Sequence, residues 1–251
     1  MNAITSAIMS NSKLNVTLIK ITDATPDSFV MSIEAEVTGT GPVGATIAEM
    51  TVELVGPGGA FGKLDLPVIK TSSSGAKVII SSQHIKISDK AAFKAFVTAI
   101  LRDESLVLKL QNGKAQVKAM GMKAEIDYNK DCPLKGMNGP KTSISKTVVE
   151  GGSFKNTLVV ENPSPLELDL GTIQQELRNQ DGSVIATQSG KAYLSRGQST
   201  YDVEGKPSGK AAGASATLVA TGVAENNWHN ETIQAFQVPV TLPAELVTIC
   251  A

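Results

Sequence analysis

From Phe29 the apolar side chains fall on alternate residues, Phe29, Met31, Ile33, Ala35 and Val37, with Ser32, Glu34 and Glu36 between them. A period of two is what a half-buried β-strand imposes, because successive side chains point to opposite faces of the sheet. The alternation returns at Met50, Val52 and Leu54; at Leu106, Leu108 and Leu110; at Met122, Ala124, Ile126 and Tyr128; at Leu166, Leu168 and Leu170; and at Phe236, Val238, Val240 and Leu242. Clusters such as Gly56-Pro57-Gly58-Gly59 and Asn179-Gln180-Asp181-Gly182 separate these runs, so neighbouring strands read as antiparallel and joined by turns. The expected class is all-β with minor α, built as antiparallel β-sandwiches of immunoglobulin-like architecture. With aromatic residues at only 4% of the chain, the core should be aliphatic.

One segment departs from this rhythm. Phe93, Phe96, Val97, Ile100 and Leu101 recur at helical spacing and share one face, which predicts an amphipathic helix over about Asp89 to Arg102. Ser88 is placed to act as N-cap, Asp89 to complement the positive end of the helix dipole, and Arg102 the negative end. A lone amphipathic helix in a β-rich chain closes an open end of a sandwich. Its five large side chains either seal a dry core, the simpler reading, or gate an elongated cavity between the sheets.

The chain also repeats itself. Ser28-Phe29 corresponds to Ser153-Phe154, Pro42-Val43 to Pro165-Leu166, Met50 to Ile173, Glu53-Leu54 to Glu176-Leu177, Gly59 to Gly182 and Gly75 to Gly197. The offset drifts only from 125 to 122 residues, which implies two copies of one fold. A boundary is expected in Lys135-Gly136-Met137-Asn138-Gly139-Pro140-Lys141, giving domains over 1–140 and 141–251. In the second copy the Ala- and Gly-rich stretch from Ala211 to Val223 stands where the helix should recur, and a short helix is expected there.

The run Leu158-Val159-Val160-Glu161, followed by Asn162-Pro163-Ser164-Pro165-Leu166, resembles the V-x-N-P-x-P signature of the water-stress (WHy) domain of late-embryogenesis-abundant (LEA-type) proteins. Two prolines at that spacing remove two ladder donors and fix φ, so the chain must leave one part of a sheet and cross to another. The first copy carries Thr38-Gly39-Thr40-Gly41-Pro42 instead. The helix with Asp103-Glu104-Ser105-Leu106, and Leu134 to Pro140, is similar to a family of fungal proteins of uncharacterised function, over about Leu14 to Arg196. That resemblance implies tandem LEA-type sandwiches and a non-catalytic role in stress protection, protein interaction or weak lipid binding. Members typically carry an N-terminal membrane anchor, and some resemble vacuolar-membrane proteins with their sandwiches in the lumen. The compartment therefore stays open between cytoplasmic and lumenal or vacuolar.

Chemistry is sparse. The two histidines, His84 and His229, have no nucleophile or second ligand at a meaningful spacing and read as surface or turn residues. Cys132 and Cys250 stand far apart and outside any C-x-x-C pattern; they read as buried or idle thiols, with a bridge between them left open. No nucleophile elbow, zinc-protease or phosphate-loop pattern occurs, and Gly56-Pro57-Gly58-Gly59 reads as a hairpin loop. Carboxylates at Glu34/Glu36 and Asp103/Glu104 read as solvated. No cofactor or metal is expected. Asn15 and Asn230 open N-x-T sequons, meaningful only in a secretory compartment.

Composition narrows the partners. At 41% hydrophobic and 19% charged residues the chain is too apolar for disorder. A net charge of -1 sets up no overall field toward nucleic acid. No run approaches the roughly 18 apolar residues of a membrane span, and Met1 to Ser6 lacks the features of a secretion signal, so the chain reads as soluble. Charge is uneven along it, however. Between Leu106 and Lys146 eight lysines, including Lys109, Lys114, Lys118 and Lys123, stand against Glu125, Asp127 and Asp131, and the stretch after them is acidic. The basic stretch reads as a sheet face turned toward a partner or lipid headgroups, or else as solvated strand surface. The expected function is a non-enzymatic binding module for lipid or another apolar ligand, or for a membrane-associated partner. Protein–protein or stress-protective interaction through sheet faces is the second reading, and an enzyme with a site near His84 or His229 the third.

Overall fold

The computed structural model describes residues 12–40 and 44–251. The reading of Met1 to Ser6, the Pro42-Val43 arm of the repeat and Gly41-Pro42 of the first corner lie outside these residues. The fold is all-β with minor helix. The described residues divide into two compact units: one of 12–23, 27–40, 44–96 and 105–134, the other of 24–26, 97–104 and 135–251.

In the first unit, β1 (Lys13–Thr22), β2 (Ser28–Thr38) and β7 (Ala76–Lys86) form one antiparallel sheet, with β2 central. A second sheet pairs β5 (Gly59–Leu66) with β4 (Met50–Gly56), β4 with β8 (Ser105–Ala119), and β8 with β9 (Met122–Lys135). Short strands β3 (Ala45–Ile47) and β6 (Ile69–Lys70) extend it beside the far end of β8. The expected alternation holds: Phe29, Met31, Ile33 and Ala35 of β2 and Val52 and Leu54 of β4 are buried. Helix α1 (Lys90–Arg102) follows β7, with residues 90–96 in this unit. Its N-cap is Asp89 rather than Ser88: Asp89 Oδ1 accepts from the Ala92 N–H at 2.9 Å, while the Ser88 N–H is committed to the Phe61 carbonyl. The Pro57-Gly58 turn between β4 and β5 explains the glycines read as a hairpin loop. A Cβ on Gly58 would lie 2.8 Å from Ala95 Cβ and 2.9 Å from Ala92 Cα, so the helix rests directly on the turn's backbone.

The second unit is one antiparallel sheet in the order β10-β11-β14-β13-β12-β15-β16. These strands span Thr142–Glu150, Ser153–Asn162, Leu166–Arg178 (β12), Val184–Leu194 (β13), Gly197–Pro207 (β14), Ser215–Val223 and Gln237–Thr241. The sheet rolls until β16 lies against β10, close to a barrel. The pairings repeat those of the first unit. As β2 lies between β1 and β7, β11 lies between β10 and β14; as β4 lies between β5 and β8, β12 lies between β13 and β15; and β15 pairs with β16 as β8 does with β9. Ser28-Phe29 and Ser153-Phe154 both open the central strand of their triplet, and Glu53-Leu54 and Glu176-Leu177 lie in β4 and β12.

Asn162-Pro163-Ser164-Pro165 carries the chain from β11 to β12 across the two intervening strands. Buried Asn162 organises the corner: its Oδ1 accepts from the Ser164 N–H and hydroxyl, and its Nδ2 donates to the carbonyls of Leu166 and Ser195. The helix expected within Ala211 to Val223 does not form; residues 215–223 are strand β15. Its small residues fit a strand flanked by β12 and β16 and largely buried on both faces, where alternation is lost. Helical turns instead fill the β15–β16 connection, as α2 (His229–Thr232) with a 3₁₀ turn at Ile233–Ala235, and α3 (Ala244–Ile249) ends the chain. Residues 136–139 are bound rather than loose: the N–H groups of Gly136, Met137, Asn138 and Gly139 donate to the carbonyls of Glu104, Ile100, Asp103 and Leu101.

Candidate functional site

The five apolar residues of α1 are all buried. In the first unit Phe93 stacks on Phe29, with ring centroids 5.2 Å apart, and lies 5.6 Å from Phe61, which in turn stacks on Phe96 at 4.9 Å. Val97, Ile100 and Leu101 belong to the part of the helix in the second unit. An enclosed space of about 20 Å³ does occur in the first unit, but Leu14, Val37, Ile47, Ile69 and Tyr128 are among its walls and none of the five helix residues is. That volume is on the scale of one water molecule.

The four lysines come together differently. In β8 the inward positions are Leu106, Leu108 and Leu110, then Gly113, Ala115, Val117 and Ala119, so the phase shifts by one residue near Asn112. Asn112 takes φ 59°, its N–H donates to Asn129 Oδ1, and its amide donates to Glu53. Without this shift Lys109 and Lys114, an odd number of residues apart, would point to opposite faces. With it, Lys109, Lys114 and Lys118 all stand exposed, as does Lys123 at the start of β9. Among the described residues none of the four is in an ion pair. The acidic stretch of the second unit is locally matched by contrast, Glu161 by Lys141, Glu167 by Arg196 and Glu176 by Arg178.

Two of these lysines, Lys118 and Lys123, flank an exposed hairpin tip, while Lys114 and Lys109 stand farther back along β8. β8 and β9 are joined by Met120-Gly121 alone, and these two residues have φ 51° and 76°. Two positive φ values make a type I′ turn, whose first position favours Asn, Asp or Gly. The other non-glycine residues at positive φ among those described are Asp23, Ser82, Asn112 and Asn138, all short and polar. Methionine in this conformation costs about 1 kcal/mol and gains no local hydrogen bond in return. Met120 is nevertheless 65% exposed and Met122 45%. Lys118 and Lys123 flank them in sequence, and Lys70 lies on the same sheet face, since Thr46 pairs with both Lys118 and Lys70. Behind the tip the sign changes: Glu49, Glu125 and Asp127 line, together with Lys114, an open cleft of about 460 Å³. Met120 is the residue that the sequence reading passed over, while Met122, read as the first apolar position of an alternating run, stands half-exposed. The legible signal was an x-Gly pair centred between two alternating runs, with x apolar.

His84 is exposed on β7 opposite Val30. His229 is buried, its Nε2 3.1 Å from the Asp169 carbonyl and its ring 3.8 Å from that of Trp228. Burial lowers its pKa to about 4, against the opposing pull of Asp169 and Glu225, so the ring is neutral at physiological pH. Nearby, burial works against ionisation of Glu225, but hydrogen bonds from the Thr172 N–H to both its oxygens hold its pKa below the ordinary value. Asn230 is committed: Oδ1 accepts from the Val223 N–H, and Nδ2 donates to the carbonyl of Glu225 at 2.7 Å. Asn15 of the other sequon is exposed on β1. Cys132 and Cys250 are free, buried thiols, and burial raises the pKa of both, that of Cys132 to about 12. Among the described residues no group of three His, Cys, Asp or Glu side chains is arranged to hold a metal ion. No described helix is long and apolar enough to cross a membrane.

The second unit holds a polar chain inside its sheet. Thr147 Oγ1 donates to Asn156 Oδ1 at 2.6 Å, Asn156 Nδ2 to Gln188 Oε1 at 2.9 Å, Gln188 Nε2 to Gln175 Oε1 at 3.0 Å, and Gln175 Nε2 to the Tyr201 hydroxyl at 3.3 Å. Asn156, Gln175, Gln188 and Tyr201 are all buried. Each satisfies its neighbour, which makes the chain a structural element rather than a reactive cluster.

A family described as protein of unknown function (DUF3712) matches residues 59–177, a stretch that includes α1 and the whole β8–β9 hairpin. No curated protein matches. Among solved structures, red sea bream transglutaminase is similar at 12% identity and a TM-score of 0.27, over 90% of this chain and 31% of that one. The exo-chitosanase CsxA of Amycolatopsis orientalis, in complex with PNP-beta-D-glucosamine, is similar at 11% and 0.23, over 84% of this chain and 25% of that one. CBD12 from CALX1.2 is similar at 9% and 0.23, over 84% of this chain and 93% of that one. This chain thus spans less than a third of the length of the first two.

Proposed function

We propose that the protein is a non-enzymatic module that binds anionic lipid surfaces through the basic face of its first unit. The observation that carries this reading is the exposed basic group at the β8–β9 tip, Lys118 and Lys123 with Lys70 on the same sheet face, to which Lys109 and Lys114 add charge farther back along β8. Each lysine near a negatively charged leaflet contributes about 1 kcal/mol, and the attraction decays within a Debye length. The group at the tip gives reversible, salt-sensitive binding without a span. A surface role is preferred to internal acyl cargo because the helix face stacks on Phe29 and Phe61, and the enclosed space of about 20 Å³ is far too small for a chain. An enzymatic role gains little from His84, exposed on a strand, or from His229, buried against a carbonyl.

Co-sedimentation of the full chain with vesicles tests the reading. Binding is expected to phosphatidylcholine vesicles containing phosphatidylserine and not to pure phosphatidylcholine. It should weaken as salt rises and weaken further in Lys109→Gln/Lys114→Gln/Lys118→Gln/Lys123→Gln. Failure to sediment with the anionic vesicles at low ionic strength would reject it.

A further inference from the structure

The membrane reading leaves the tip of the hairpin unexplained, because lysines alone need no methionine. Met120 occupies a backbone conformation taken elsewhere among the described residues only by glycine or short polar residues, and it projects an apolar side chain into solvent from the end of a two-residue turn. An Asn-Gly pair would form the same turn more readily and be more soluble. Local preference and solvation both oppose methionine here, so its compensation lies outside the isolated fold.

We propose that the Met120-Gly121 turn is a membrane-insertion tip. In this arrangement Met120 and Met122 enter the upper acyl region of an anionic leaflet while Lys70, Lys118 and Lys123 hold the phosphate layer. The inference rests on the lipid-surface reading and adds to it a depth and an orientation. Strands rise about 3.4 Å per residue, so the Cα atoms of Lys118 and Lys123 stand within about 7 Å of the tip. Their long side chains reach the headgroups from there, as lysine does when it snorkels. The inserted depth matches the 5–10 Å or so at which amphipathic elements bury an apolar face. Methionine suits the task, being unbranched, polarisable and able to repack among mobile chains. The reversal of charge behind the tip, where Glu49, Glu125 and Asp127 line a cleft with Lys114, limits how far the hairpin can sink. The equivalent end of the second unit is not bare: residues 224–236 fill it with α2 and the buried Trp228 and His229.

The test uses the full chain with vesicles of phosphatidylcholine and phosphatidylserine at about three to one, an anionic surface of the kind that attracts basic segments. Met122→Trp serves as reporter, since Met122 lacks the positive φ of Met120 and the single native tryptophan, Trp228, is buried. Its emission should shift to the blue on binding and be quenched by lipids brominated near the headgroup end of the chain more than by those brominated near the methyl end. Met120→Asn/Met122→Ser, which retains the turn, should bind about tenfold or more weakly with an unchanged salt slope, the loss being apolar transfer. Lys118→Gln/Lys123→Gln should instead reduce the slope. Vesicle binding with an unquenched reporter, or full affinity in the methionine double variant, would overturn insertion while leaving the headgroup reading intact. Absence of wild-type binding would overturn both, and salt-sensitive capture by an acidic protein in its place would assign the lysines to a protein partner.

Discussion

Gln188 Nε2 donates to Gln175 Oε1 across 3.0 Å between β13 and β12, and this contact is the third bond in a chain of four inside the second unit. Gln188 lies between Asn156 and Gln175, so its removal leaves one donor and one acceptor buried without partners. Gln188→Ala should destabilise the protein by about 2–4 kcal/mol, the cost of two unsatisfied polar groups. Thr187→Ala, one residue away but facing outward, should stay within about 0.5 kcal/mol of wild type. Urea midpoints at unchanged slope compare them.

Gly58 is required for close approach rather than for an unusual φ. Gly58→Ala would push Ala92 and Ala95 away, at about 1–3 kcal/mol. Hydrogen exchange should show faster opening of the α1 amides in that variant. Gly182→Ala, where φ is 86° and nothing lies within 4 Å of the new Cβ, should lose about 1 kcal/mol through backbone strain alone and leave α1 protected.

His229 makes stability fall on mild acidification. Its pKa is about 4 folded against about 6.5 unfolded, so between those values the unfolded chain takes up the proton and the folded one does not. The contribution of the neutral ring is complete above the unfolded value and is lost progressively as pH falls toward 4, a total of about 3 kcal/mol. Urea unfolding at pH 7 and pH 4.5 should show this decline in the wild type and a much smaller one in His229→Gln.

The two thiols should be silent in the native protein. Burial raises the pKa of Cys132 to about 12 and raises that of Cys250, so neither presents a thiolate near neutrality. A disulfide-exchange reagent should titrate two thiols promptly in denaturant and far more slowly without it. Rapid native reaction at Cys132 would contradict the burial described.

Much of the architecture is legible because solvent writes a period into strands that face it on one side. Phe29 to Val37 and Leu106 to Leu110 show that period plainly, and α1 shows the helical one. Strand β15 escapes a sequence reading because its Ala216, Leu218, Val219 and Ala220 are all buried, leaving no polar face to mark alternate positions. The cap falls one residue later than expected because Ser88 and Asp89 both suit the role, and only the hydrogen bond to Ala92 separates them. Asn156, Gln175 and Gln188 stand at inward positions whose polarity can be explained only by knowing that β11, β12 and β13 bring them together. The four lysines are visible as a charge run, but their common face depends on the irregularity at Asn112. Met120 is hidden in a turn where attention falls on glycine.

The backbone donors of Gly136 to Gly139 close the carbonyl end of α1, tying residues 97–104 to the stretch that starts at residue 135, with all of β8 and nearly all of β9 between them in the chain. The two halves are therefore interleaved rather than strung in series. No single cut can release either one whole: a fragment starting at residue 135 leaves its last helical turns behind, and one ending at 134 carries away turns that are not its own. Recombined fragments, not isolated halves, are the form in which this protein could be taken apart and put back together.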